Sequence, residues 1–171
     1  GSTQVDSSLR KLGPLSGLAV AVALLVIAPI ALAIDAEPSR SEYAAAVEPI
    51  CKRNSNANSR ILKGVKGQVK SGRLGPAGRR FIRAAGALGK AVRQIARVPR
   101  PRADQAKLTK WVRYLKKEQA YLRKIGSYLK AGKKAKAQHE AVELNRNNSR
   151  ANNTVVGFGF RHCRIESSRF L

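Results

Sequence analysis

The stretch ADQAKLTKWVRYLKKEQAYLRKIGSYLK, residues 103–130, decides the fold. Leu108, Trp111, Val112, Leu115, Leu122, Ile125 and Leu129 recur at the spacing of a helix with one apolar face. Gly132 follows as a helix stop. Tyr114, Tyr121 and Tyr128 stand seven apart, one turn beyond Trp111, and form an aromatic ridge. Such a ridge serves either to stack on bases or sugar rings or to pack at the edge of a core, and heptad spacing favours the core.

Working outward, the same period recurs three times. Pro99 and Pro101 close a preceding segment that opens near Pro76 and carries Phe81, Ala84, Ala85, Leu88, Val92 and Ile95 on one stripe. Before it, Tyr43, Val47, Ile50, Cys51, Ile61, Leu62, Val65 and Val69 read as one long helix ended by Gly72 and Gly75-Pro76. Beyond Gly132, residues 133–156 carry Ala137, Ala141, Val142, Leu144, Ala151 and Val155 and are the most polar of the four. The β-branched alternation of strands is missing. Four amphipathic segments with three short connections predict an all-α fold, an antiparallel up-down-up-down four-helix bundle over residues 43–171. In the tail, Gly157, Phe158, Gly159 and Phe160 alternate, and the two Phe rings are expected to cap an open end of the bundle. Read as a phosphate loop, the same run lacks the Lys-Ser/Thr that chemistry needs.

Residues 15–34 hold no charge and follow Arg10 and Lys11. Two readings fit: a signal peptide cleaved after Ala33 at Ala31-Leu32-Ala33, or an uncleaved anchor long enough to span a bilayer. Either way the basic flank stays inside and the body is expected outside the cytoplasm, secreted or anchored through 15–34. Residues 1–33 are thus a targeting segment and 34–42 a linker with Pro38, Ser39 and Ser41.

The chain carries 34 Lys and Arg against 10 Asp and Glu, a formal net charge of +24, and removing residues 1–33 leaves +23. The candidate polyanion surface is Arg79, Arg80, Arg83, Lys116, Lys117, Arg123, Lys124, Lys133 and Lys134. Such a surface binds polyanions with steep salt dependence, or serves only to keep the protein soluble. With no groove-reading motif, the expected partner is an anionic envelope polymer or lipid rather than a specific nucleic acid.

Two Cys and two His exclude a disulfide-rich scaffold and a four-Cys zinc site. His139-Glu140-x-x-Glu143 is not the zinc-protease pair, the Glu-x-x-His pairs of a di-iron bundle are missing, and so is the Cys-x-x-Cys-His of haem attachment. No metal or cofactor is expected. In an up-down-up-down bundle Cys51 and Cys163 fall at the same end, and export favours a disulfide between them. His162 beside Cys163 lacks an orienting Asn or Asp, so no catalytic Cys is read here.

Polar residues interrupt the apolar stripes. Asn54 and Asn58 do so on the first helix, and Asn145, Asn148 and Asn152 on the last. Neighbouring first and last helices would gather them into one polar layer at the disulfide end. That layer fixes register, or it lines a small-ligand pocket. Glu118, between Leu115 and Leu122, is expected to pair with an Arg or Lys at the core boundary, to transfer protons in a cavity, or to join the Asn layer in a small-ligand pocket.

Glu48-Pro49-Ile50-Cys51-Lys52 and the run 152–163, with Phe158, Phe160 and Cys163, resemble a group of small exported actinobacterial proteins of unknown activity. The likeness covers most of residues 42–171. It implies an exported helical domain with paired cysteines and carries over no activity, cofactor or catalytic residue.

Overall fold

The computed structural model describes residues 37–165. The expectations for residues 1–33, and for an anchor through 15–34, lie outside the described residues. Within them the chain forms α1 (Arg40–Leu62), α2 (Val65–Lys70), α3 (Leu74–Arg97), α4 (Gln105–Lys130) and α5 (Lys134–Thr154), with 3-10 turns at Arg102–Asp104 and Val156–Phe158. The described residues contain no strand. No helix among them is long and apolar enough to cross a membrane.

The first helix begins earlier than its apolar stripe, inside the segment read as linker. The reason is a capping box. Ser39 Oγ accepts from the Glu42 N–H, and Glu42 accepts from the Ser39 N–H at 2.7 Å. The run read as one helix from Tyr43 to Val69 is two. Gly64 adopts φ 79°, a left-handed conformation that favours glycine, and splits α1 from α2. Arg80 of α3 then donates to the carbonyls of Lys63 and Ile61, placing a cation on the carbonyl end of α1. Pro76 stands in the first turn of α3, where its missing N–H leaves no intrahelical bond unmade. After Lys130 the Lys133 N–H donates back to the Tyr128 carbonyl at 2.8 Å, ending α4 where Gly132 announced it.

The core follows the stripes. Every stripe residue of α4 is buried, and so are Phe81, Ala84, Ala85, Leu88, Val92 and Ile95 of α3. The two helices approach backbone to backbone at Gly78 and Gly126. A Cβ on Gly78 would stand 2.5 Å from the Gly126 carbonyl oxygen, and one on Gly126 would stand 2.6 Å from that of Gly78. Further along, Gly89 of α3 meets the side chain of Gln119. The extensive contacts are α3 with α4, α4 with α5 and α1 with α3. Thus α1 packs on α3 rather than on α5.

At one end, Asp104 is buried and takes two hydrogen bonds from Arg40, at 2.5 and 2.7 Å. These bonds hold its carboxyl below the ordinary carboxylate range. The tail closes the same end. Phe160 lies 5.2 Å from the Trp111 ring and 5.5 Å from Phe158, and Phe158 meets Tyr43 edge-on at 6.3 Å. Trp111 is fully buried, whereas Tyr114, Tyr121 and Tyr128 are half-buried and pack on the core.

Gly78→Ala and Gly126→Ala should each destabilise the fold by about 1–3 kcal/mol through overpacking. Gly86→Ala, at an exposed mid-helix position with open space around it, should stabilise by about 0.5–1 kcal/mol. The urea midpoints of the three variants check both signs.

Candidate functional site

Helical period turns Glu118 inward between Leu115 and Leu122, and the residue is 8% exposed. It lines a cavity of about 380 Å³. Phe81, Leu88 and Ile95 of α3 and Leu122 of α4 give apolar walls, and α1 supplies Asn54 and Asn58, one turn apart. From α5 only Leu144 reaches it, while residues 161–165 line the remaining side. Three oxygens of this lining are buried without a hydrogen-bond partner: Asn54 Oδ1, Asn58 Oδ1 and Glu118 Oε2.

The salt bridge expected for Glu118 is not formed. Among the described residues no Lys or Arg pairs with it. Burial alone pushes its carboxyl up to about 8, so it holds a proton at neutral pH.

The Asn layer expected at one end divides into four places. Asn54 and Asn58 line the cavity; Asn145, Asn148 and Asn152 do not. Asn148 is buried, with its Oδ1 accepting from Asn147 Nδ2 at 3.5 Å, a long contact, and its own Nδ2 unpartnered. Asn152 holds the tail, donating to the Ile165 carbonyl and accepting from the Ile165 N–H, both at 2.9 Å. Asn145 is exposed. The buried position that sequence reasoning missed is Asn147, which donates to the Tyr114 carbonyl at 3.0 Å. The signal was present: Leu144, Asn147, Asn148, Ala151 and Val155 follow helical spacing, and Asn145 falls beside that stripe. The layer divides because α1 and α5 are not packed face to face.

Cys51 and Cys163 form a disulfide, with an S–S distance of 2.05 Å and Cα atoms 5.0 Å apart. One turn before Cys51, Glu48 accepts from the backbone N–H groups of Arg161, His162 and Cys163 at 3.0–3.2 Å. The sequence reading assigned Glu48 no role. A bond between cysteines of this kind fits an oxidising compartment.

On the surface, Arg79, Arg83, Lys116, Lys117, Arg123, Lys124, Lys133 and Lys134 are exposed. Arg80 is not free for a partner, because it caps α1. Lys124 lies 3.6 Å from Glu140 and over the Tyr121 ring. A more regular feature runs along α3. Arg79, Arg83, Lys90, Arg93 and Arg97 are exposed at steps of 4, 7, 3 and 4, which places all five on one stripe opposite the buried face. The stripe is about 27 Å long at 1.5 Å per residue. The 55 residues 49–103 around it carry 15 Lys and Arg and no Asp or Glu. Among the described residues no group of three or more His, Cys, Asp or Glu comes together as a metal site.

Because the folded protein keeps the Glu118 proton that an unfolded chain releases above about pH 4.5, stability should fall as pH rises from about 4.5 to about 8. The slope from this group is about 1.4 kcal/mol per pH unit. Urea unfolding at pH 5 and pH 8 should show a smaller difference in Glu118→Gln than in the parent. Reducing the disulfide, which closes a loop over a separation of 112 residues, should cost about 2–5 kcal/mol in the same assay.

Comparison with family models, with curated proteins and with solved structures finds no match.

Proposed function

We propose that this protein is a non-enzymatic helical domain of the cell envelope, whose cationic surface associates with an anionic envelope polymer or lipid. In this reading the four long helices follow an antiparallel up-down-up-down order, and the domain lies outside the cytoplasm, secreted or anchored through residues 15–34. The observation that carries it is the α3 stripe. Its five cations have no carboxylate among residues 49–103 to neutralise them. A charge pattern kept only for solubility has no need of a continuous row of one sign. Such a row presents about one cation per helical turn to a repeating anion.

The experiment is sedimentation of the full chain with anionic vesicles, neutral vesicles, an anionic wall polymer and duplex DNA, at low and high salt. Binding to the vesicles or the wall polymer should be strong at about 50 mM salt and largely lost by about 500 mM, with neutral vesicles inert. Removing three cations of the stripe, as R79Q, R83Q and R93Q together, should weaken it about tenfold or more. Removing three exposed cations elsewhere, as R53Q, K110Q and R150Q, should weaken it less. Equal loss in both variants would reduce the stripe to net charge, and no binding at low salt would overturn the proposal.

A further inference from the structure

The α3 stripe leaves the cavity unexplained. This chain has 34 Lys and Arg, and Arg161 and Arg164 line the same cavity, yet Glu118 is buried with no ion pair among the described residues. The two amides lining the same cavity repeat the pattern, since Asn54 and Asn58 each bury an unpartnered oxygen. All three orphan atoms are acceptors when Glu118 is ionised, so what completes the site must bring donors. An anion would set acceptors against acceptors. An alcohol brings one donor for three oxygens. A primary ammonium brings three N–H groups and the charge that a buried carboxylate requires. The lining also includes aliphatic and aromatic side chains, and a cavity of about 380 Å³ falls in the range of small-molecule sites.

We propose that this cavity binds a small amphipathic amine, its ammonium group held by Glu118, Asn54 and Asn58 and its apolar body lying against Phe81, Leu88, Ile95 and Leu122. The proposal does not depend on the function assigned to the α3 stripe. Binding carries a balanced proton step. The ligand enters as ammonium, the Glu118 carboxyl loses its proton to solvent, and the ammonium–carboxylate pair remains. Besides Glu118, the charged or titratable groups lining the cavity are Arg161, His162 and Arg164, all three exposed and all on the tail. The lining residues of α1, α3 and α5 carry no titratable group beyond the disulfide.

The test is calorimetric titration of the full chain with n-hexylamine at pH 7, in two buffers of different ionisation enthalpy. One saturable site should appear, with close to one proton released per ligand. Hexyltrimethylammonium, which has the charge and no N–H, should bind about tenfold more weakly or worse. Glu118→Gln removes the charge and nearly preserves shape. It should keep the helical spectrum, abolish the proton release and weaken binding about tenfold or more. Asn58→Leu should weaken binding while the proton release persists, and His139→Gln, at an exposed position that does not line the cavity, should leave both unchanged. Three results would overturn the proposal: no saturable binding up to about 10 mM, hexanoate binding as tightly as hexylamine, or hexylamine binding unaltered by Glu118→Gln.

Discussion

The close approach of α3 and α4 at Gly78 and Gly126 is the contact on which the other packing depends. With no side chain between the backbones there, the two helices share a long buried seam. Each then offers its other flank to one further helix, α1 on α3 and α5 on α4. The outer two are left without a broad common face. The space enclosed between α1, the α3–α4 seam and the tail becomes a cavity, floored by the apolar stripes and edged by Asn54, Asn58 and Glu118. A bundle whose first and last helices met along their length would fill that space with side chains. The cavity is thus a consequence of how closely two central helices approach.

Scarcity of acids shapes the rest. Among the described residues Glu42 caps α1, Glu48 holds the tail backbone, and Asp104 binds Arg40. Glu37 accepts from the Arg102 N–H, and Glu140 and Glu143 lie beside Lys124 and Arg146. Five of these sit at helix ends, connections or the α4–α5 side, and Glu48 stands within α1 against the tail. Glu118 alone is buried with no partner. The cationic face of α3 and the neutral carboxyl in the cavity therefore come from one distribution. Among the described residues the carboxylates other than Glu118 complete a cap, a turn or an ion pair, and none pairs with the α3 stripe.

Legibility in the sequence followed the strength of the period. The α4 stripe, with seven large apolar residues in phase, was read residue for residue, and the tail Phe rings were placed by their spacing. The start of α1 was missed because a capping box is a short polar signal, and its Ser39 and Glu42 precede the apolar run. The break at Gly64 was missed because the apolar positions on its two sides still look like one helix. On α5 the stripe is built from Leu144, two Ala and two Asn, so its phase was weak and Asn145 was taken for a neighbour that points inward. The inward position of Glu118 was legible from the period, but its lack of a cation partner was not. Whether a buried carboxyl meets a cation depends on which helices adjoin it, and periodicity along one chain does not fix neighbours.

The disulfide has a consequence for the order of assembly. It joins α1 to a residue that follows every described helix, and Glu48 fastens the same tail segment by its backbone one turn away. Neither fastening can form on a growing chain until α5 has emerged. Helices form early because their contacts are local, whereas this closure spans most of the fold. The Cys51 thiol therefore has no partner until the tail folds back onto α1, and its oxidation follows that docking. A fragment ending before the tail would keep the helical stripes and lose the clasp. The cavity would then stand open along the side that residues 161–165 line.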